Sequence, residues 1–231
     1  MENKLAIVIP AWNNWAYTKR ALSDLSALPQ DHGFVVVDNG SSDNTKQLQE
    51  SARLSVIRHS NNLGFAKGCN SGFEKAVNLG YENVMFLNND IRLVEENSVW
   101  TEPLIQAAQE GCLVGPTAGC LDDQFNFLCE ATKLPTRGFG YLSGWNITAS
   151  VPTWQRLILD GDAGPFNTAF FAFFEDTDLS FRAKELGIIL KIVQTPFRHI
   201  GHATAKNIGL SKLYLQSKQK FFEIWNKRVC T

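Results

Sequence analysis

Short apolar runs alternate with longer stretches of helical periodicity along most of the chain. "LAIVIPA" (Leu5 to Ala11), "FVVVD" (Phe34 to Asp38), "LSVIRH" and "NVMFLN" each read as a strand with no polar face. Between them, helical patterns run from Trp12 to Leu28, Asn44 to Arg53 and Ala66 to Leu79, and another follows from Val99 to Glu110; Gly80 and Gly111 close the last two. "CLVGP" adds a further short strand. Strands that are apolar on both sides and separated by helices predict a mainly parallel sheet covered on both faces.

Residues 120–160 break this rhythm with shorter β-like pieces, glycines and aromatics. A helix then starts at about Asp176 or Thr177 and ends at Gly187, "ILKIV" forms another strand, and a last helix runs from about Lys206 to Arg228. The expected organisation is one α/β domain over 1–231. A nucleotide-binding half covers about 1–115, an acceptor and catalytic half about 116–205, and a C-terminal helix about 206–231.

Composition changes this picture little. The 231 residues are 44% hydrophobic and 19% charged, ordinary for a globular chain with a sizeable core. The formal net charge of -1 gives no general attraction to nucleic acid. "MENKLAIVIPAW" reads as a first strand rather than a signal peptide, and no apolar stretch approaches the ~20 residues that span a bilayer. Five cysteines without a CxxC pair fit reduced thiols in a cytoplasmic protein and not a zinc site.

The candidate chemistry follows from topology. Ligands of an open parallel sheet bind where strands end at their carboxyl edge. Asp38 closes one strand and Asp90 follows another, so both belong at one crevice. Asp38 could serve a capped turn, with Ser41, Ser42 and Asp43 capping the next helix, or accept hydrogen bonds from a base or ribose. "FLNND" is either a polar strand end or a site for a divalent ion with a single charged ligand, Asp90. Gly64, Gly68 and Gly72 stand four apart and leave a bare helix stripe for close packing against the sheet or a ligand. Lys67 near that helix start could meet a phosphate. Glu175, Asp176 and Asp178 either complement a helix dipole or, beside the apolar run "FNTAFFAFF", supply a partly desolvated carboxylate with a raised pKa, useful as a general base. Asp178 and Arg182 can pair across one helical turn. His199 and His202 fall in a loop after Pro196, where a histidine is structural unless Asp90 lies close in space.

Taken in order, "IVIPAWNNW", "VVVDNGSSDNT", "NLGFAKGCNSG", "FLNNDIRL", "SGWNI", "FFEDTDLSFRAKELG" and "RHIGHAT" make the chain resemble the inverting family 2 glycosyltransferases of the GT-A fold, in the bacterial rhamnosyltransferase-like branch. The resemblance covers about residues 4–205. It implies transfer of a sugar from a nucleoside diphosphate sugar to a glycan or lipid-linked acceptor, with Mg²⁺ or Mn²⁺ as cofactor. By the same resemblance Asp38 recognises the base. Pro10, Ala11, Trp12, Gly64, Lys67, Asn70 and Asn89 contact the donor, and Gly144, Trp145 and Glu175 lie near the donor sugar and acceptor. Asp90 and His199 would hold the metal, and Asp176 would be the catalytic base. The chain departs from the family where Asn88 and Asn89 precede Asp90 and where Asn167 and Thr168 replace an acidic pair. An inactive nucleotide-sugar or glycan-binding module is the alternative reading. A sugar nucleotidyltransferase is disfavoured, because no glycine-rich loop follows the first strand.

The last helix carries five basic residues and one acid over "LSKLYLQSKQKFFEIWNKRV". It either packs on its own domain or touches an anionic membrane surface.

Overall fold

The computed structural model describes residues 4–95, 99–201 and 210–229. His202 and most of "GHAT" lie outside the described residues, as does Cys230.

The chain begins with β1 (Leu5–Ala11), α1 (Trp15–Asp24) and β2 (His32–Asp38), followed by a single 3-10 turn at Asn44–Gln47. Next come β3 (Leu54–Arg58), α2 (Phe65–Asn78), β4 (Asn83–Leu87), β5 (Ile91–Leu93) and α3 (Glu102–Gln109). The second half holds β6 (Leu113–Gly115), β7 (Ala118–Leu121), β8 (Phe127–Ala131), β9 (Phe139–Leu142), β10 (Asn146–Ser150) and α4 (Val151–Gln155). It closes with α5 (Glu175–Glu185), β11 (Leu190–Ile192), β12 (Phe197–His199) and α6 (Leu210–Val229).

The main sheet has the order β11-β6-β10-β4-β1-β2-β3. Pairing is parallel throughout except at β10, which runs antiparallel between β4 and β6. This is the mixed α/β architecture of a GT-A fold. Along β1, Leu5, Ile7 and Ile9 join one apolar cluster with α1 and α3. Ala6 and Val8 join the other with α2 and Trp154. Nearly every position of β1, β2 and β4 is buried, which is why these runs are unbroken and apolar rather than alternating. β5 and β12 form a separate two-stranded ribbon, and β8-β7-β9 a three-stranded antiparallel sheet.

Three helices are shorter than their sequence patterns. Helix α1 begins three residues after Trp12, because Asn13 and Asn14 both adopt left-handed backbone (φ 55° and 58°). The Asn44 to Arg53 helix is reduced to one turn, since Arg58 reaches back to take the carbonyls of Lys46 and Leu48 that would have continued it. Helix α3 starts at Glu102 with Pro103 in its first turn, where a missing N–H costs nothing.

Gly72 settles the role of the glycine stripe. A Cβ there would stand 2.2 Å from Val8 Cγ1 and 3.1 Å from Val37 Cγ2, so the bare stripe lets α2 lie directly on β1 and β2. Helix α6 is packed, not free: Phe221 and Trp225 are buried against Phe125, Phe174 and Phe181.

Candidate functional site

Strand order reverses between β1 and β4, with β2 and β3 on one side and the later strands on the other. The carboxyl ends of β1, β2 and β4 therefore define the crevice. Half-buried Trp12 and Pro10 flank buried Ala11 at the end of β1. Ala11 lies in register with Asp38. The loops here are tied to one another. Asn13 Oδ1 accepts from the Ser42 N–H at 2.8 Å, and the Asn13 N–H donates to Ser41 Oγ at 2.8 Å. Asp43 caps two elements, accepting from Thr45 N–H and from Trp15 N–H.

Asp38 is 2% exposed, and its Oδ1 accepts from Ser41 N–H at 2.9 Å. The turn reading is thus satisfied by one oxygen. The adjoining Asn39 holds the next loop, donating to Gly64 O and Asn62 Oδ1 while accepting from Leu63 N–H. Gly64, at φ 89°, has no room for a side chain: a Cβ would be 2.5 Å from Phe171 O, which accepts from Phe65 N–H. Lys67 is exposed in the first turn of α2. Asn70 is spent on structure, its amide clamping both the N–H and the carbonyl of Phe166.

The three residues after β4 diverge. Asn89 turns into the core and donates to Thr18 Oγ1 on α1 at 2.9 Å, which makes it a helix-packing group. Asn88 and Asp90 both meet His199. Asp90 Oδ1 is 3.1 Å and Asn88 Nδ2 is 3.2 Å from His199 Nε2. The ribbon explains this meeting across the sequence: β12 runs antiparallel to β5 with His199 opposite Ile91, and Ile200 N–H donates to Asp90 O.

Trp145 lies over the imidazole, stacked at 5.3 Å between centroids and 9° between planes. Its indole N–H is shared between Thr117 Oγ1 and Glu130 Oε1. Sequence reasoning missed Thr117 and Glu130. They sit on β7–β8 and the loop before it, and no local pattern marks them.

The neighbour of Trp145 meets the α5 acids. Gly144 N–H donates to Asp176 Oδ2 at 2.8 Å, while Asp176 Oδ1 accepts from Thr177 N–H. Burial raises the Asp176 carboxyl above the usual carboxylate range, and these backbone donors moderate the rise. Glu175 is 8% exposed with Oε2 unpartnered among the described residues. Burial first, and the Asp176 charge second, hold its carboxyl well above the ordinary range. Phe173 and Phe174, both left-handed at φ 67° and 65°, aim the helix start. A bulky residue in that region is strained, so the turn depends on its packing against Tyr214 and Phe221 of α6. The third acid, Asp178, plays no part in the crevice. It is buried, paired with Arg182 at 2.8 Å and with the Trp225 indole at 2.9 Å.

A divalent ion fits Asp90 and His199. Two donors cis on an octahedral ion, each ~2.1 Å away, stand roughly 3 Å apart, which is the spacing of Asp90 Oδ1 and His199 Nε2. Turning the Asn88 amide would bring its oxygen to the same point as a third ligand. No cluster of three or more His, Cys, Asp or Glu residues that could hold a metal occurs among the described residues.

Known proteins share the fold. The chain is similar to residues 1–349 of TarS from S. aureus, with TM-score 0.58 and 17% identity over 97% of this chain and 73% of that one. It is also similar to the mannosyltransferase PcManGT from Pyrobaculum calidifontis, solved with GDP-Man and Mn²⁺, with TM-score 0.56 and 16% identity over 84% of this chain and 55% of that one. Against the longer S. aureus TarS chain it spans only 33% of that chain's length, with TM-score 0.54 and 20% identity over 78% of its own. No curated protein matches the chain at a significant level. The model of glycosyl transferase family 2 matches residues 6–128, from β1 through the crevice into the β7–β8 hairpin and more than half of the 231 residues, and the chain belongs to that family.

Proposed function

We propose that this chain transfers a sugar, with inversion, from a nucleoside diphosphate sugar to a hydroxyl of a glycan or lipid-linked acceptor. The setting we propose is bacterial surface polysaccharide synthesis at the cytoplasmic side of the membrane. One observation carries this reading. Gly144 touches Asp176, and the next residue, Trp145, stacks on the histidine that meets Asp90. A candidate base and a candidate diphosphate site are thereby joined through two consecutive residues.

In the proposed mechanism Asp176 accepts the proton of the attacking hydroxyl. Its raised carboxyl makes it a stronger base than an ordinary aspartate while it stays ionised near neutrality. Inversion needs one base, and the neighbouring Glu175, held largely protonated by burial, adds no competing charge. Asp38 and the ends of β1 and α2 form the donor side. Asp90 and His199 would hold Mg²⁺ or Mn²⁺, which neutralises charge on a departing diphosphate when bound. The bound GDP-Man and Mn²⁺ of the Pyrobaculum calidifontis enzyme support the donor class and the ion.

Among the described residues no helix is long and apolar enough to cross a membrane. Peripheral contact with an acceptor-bearing membrane would fall to the outward side of α6, where Lys212, Leu215 and Lys220 are exposed.

The test uses the purified chain with UDP- and GDP-sugars, Mn²⁺ and glycan acceptors. Wild type is expected to release nucleoside diphosphate, slowly without acceptor and faster with one. Asp176→Asn is expected to lose transfer while keeping donor-induced thermal stabilisation. Full turnover by that variant removes Asp176 from the mechanism. Donor binding without any turnover by wild type supports the binding-module reading.

A further inference from the structure

Cys120 and Cys129 stand directly opposite each other on neighbouring antiparallel strands, β7 and β8. Opposed residues point to the same side of a sheet with Cα atoms ~4.5–5.5 Å apart, inside the ~4.4–6.8 Å range that a disulfide bridges. Both are free thiols. Burial and the neighbouring Cys129 thiol both raise the Cys120 thiol. Cys120 is buried and Cys129 exposed, so one thiol is open to an oxidant and the other waits beside it.

Strand β8 is the edge of its sheet and, among the described residues, pairs with β7 and no other strand. Phe127, Leu128, Cys129 and Glu130 are all exposed. Yet Glu130, next to Cys129 and facing the other side of the sheet, accepts from Thr117 Oγ1 at 2.6 Å and from the Trp145 indole N–H at 3.1 Å. The strand that carries this acceptor into the crevice is tied by its ladder to β7 and by the Tyr214 side chain, which hydrogen-bonds the Phe127 backbone.

We propose that Cys120 and Cys129 are a reversible dithiol–disulfide pair that staples β8 to β7 and thereby fixes Glu130 against Trp145. The oxidant class is a low-molecular-weight disulfide. The Cys129 thiolate attacks one sulfur of oxidised glutathione; that S–S bond breaks, a mixed disulfide forms and one glutathione leaves. The Cys120 thiolate then attacks the Cys129 sulfur and the second glutathione leaves. Two protein thiols give up two electrons and two protons, and one oxidised glutathione becomes two reduced ones. The register already opposes the two residues, beside an irregularity of the ladder between Cys120 and Leu121. It is independent of the proposed sugar transfer.

The experiment treats the full chain with oxidised glutathione and then removes it. Expected are an intact mass lower by about 2 Da, a non-reducing peptide map that links Cys120 to Cys129, and reversal by dithiothreitol. Amide exchange over 127–131 is expected to slow by about tenfold in the oxidised form. Cys129→Ser, an exposed substitution that leaves the core intact, is expected to show neither the link nor the slowing. A glutathione adduct that persists on Cys129, a link from Cys129 to Cys230, or an interchain dimer would each overturn the pair. A Cys120–Cys129 link without any change in exchange would overturn the staple.

Discussion

The Gly144 N–H donates to Asp176 Oδ2 at 2.8 Å, and the space beside that contact is closed: a Cβ on Gly144 would lie 3.0 Å from both Asp176 Cβ and Oδ2. The backbone of the "SGW" turn is thus the surface against which the candidate base is positioned. Glycine is required there by close approach rather than by backbone angle.

Gly144→Ala should therefore push Asp176 aside while disturbing little else. Misplacing a catalytic group by a fraction of an ångström to one ångström costs up to about 100-fold in rate. We expect a 10- to 100-fold drop in kcat, roughly that magnitude by the same argument, with donor KM and thermal midpoint close to wild type. Steady-state kinetics and a melting curve check it; unchanged kcat would separate Gly144 from the base.

The pH profile should carry the raised Asp176 carboxyl. The proposed base acts ionised, so activity is lost as pH falls through its folded-state value, above the ~3.9 of an ordinary aspartate. Stability moves the opposite way. A carboxyl raised in the folded state binds its proton more tightly there than in the unfolded chain, so its contribution to stability is full at low pH and is lost as pH rises through that window. Glu175, raised by burial and by the Asp176 charge, adds to that fall. Glu175→Gln should flatten the decline, read from melting temperatures between pH 4 and 9. An equal slope in both proteins would contradict the burial argument.

Asp90 and His199 should bind an ion well only when a nucleoside diphosphate shares it, since the chain supplies a single carboxylate. We expect Mn²⁺ binding, followed by electron paramagnetic resonance, to tighten at least tenfold on adding UDP or GDP. Asp90→Ala should abolish that gain. His199→Ala should weaken it by 10- to 100-fold, the size of effect expected for loss of ligand support. Equal Mn²⁺ affinity in all three proteins would dismiss the site.

Arg182 is a structural prediction. Its guanidinium bonds buried Asp178 and the carbonyls of Leu157 and Pro165, fastening α5 to the loop before it. Removing one partner of a buried pair costs about 3–5 kcal/mol. Arg182→Ala should lower the melting temperature by roughly 10 °C. A double replacement, Asp178→Leu with Arg182→Met, should recover much of that loss, because neither charge is then left unpaired.

Much of the crevice was legible in advance because it follows from topology. Asp38 and the residues after β4 lie at one sheet edge, as strands ending in polar residues require. The sequence pattern was silent on direction. Asn88, Asn89 and Asp90 are adjacent, yet Asn89 faces Thr18 in the core while the other two meet His199. Asn70 sits in a motif that resembles a donor-binding loop, and its amide is consumed by Phe166. A polar side chain satisfied inside the fold and one offered to a ligand look alike in one dimension. Helix ends were legible only in part, since left-handed Asn13 and Asn14 carry no periodic signal.

By itself the sequence determined the alternation of strands and helices, through the near-complete burial of β1, β2 and β4, and the carboxyl-edge location of Asp38 and Asp90. It left the "NND" after β4 open, as a polar strand end or a site with one charge. Only the tertiary structure decided which partners those groups have. It brought His199 to Asp90 over 109 positions by pairing β12 with β5, and it set Trp145 between that pair and the turn that holds Asp176. Such contacts depend on chain closure and side-chain direction, which hydrophobic spacing does not encode.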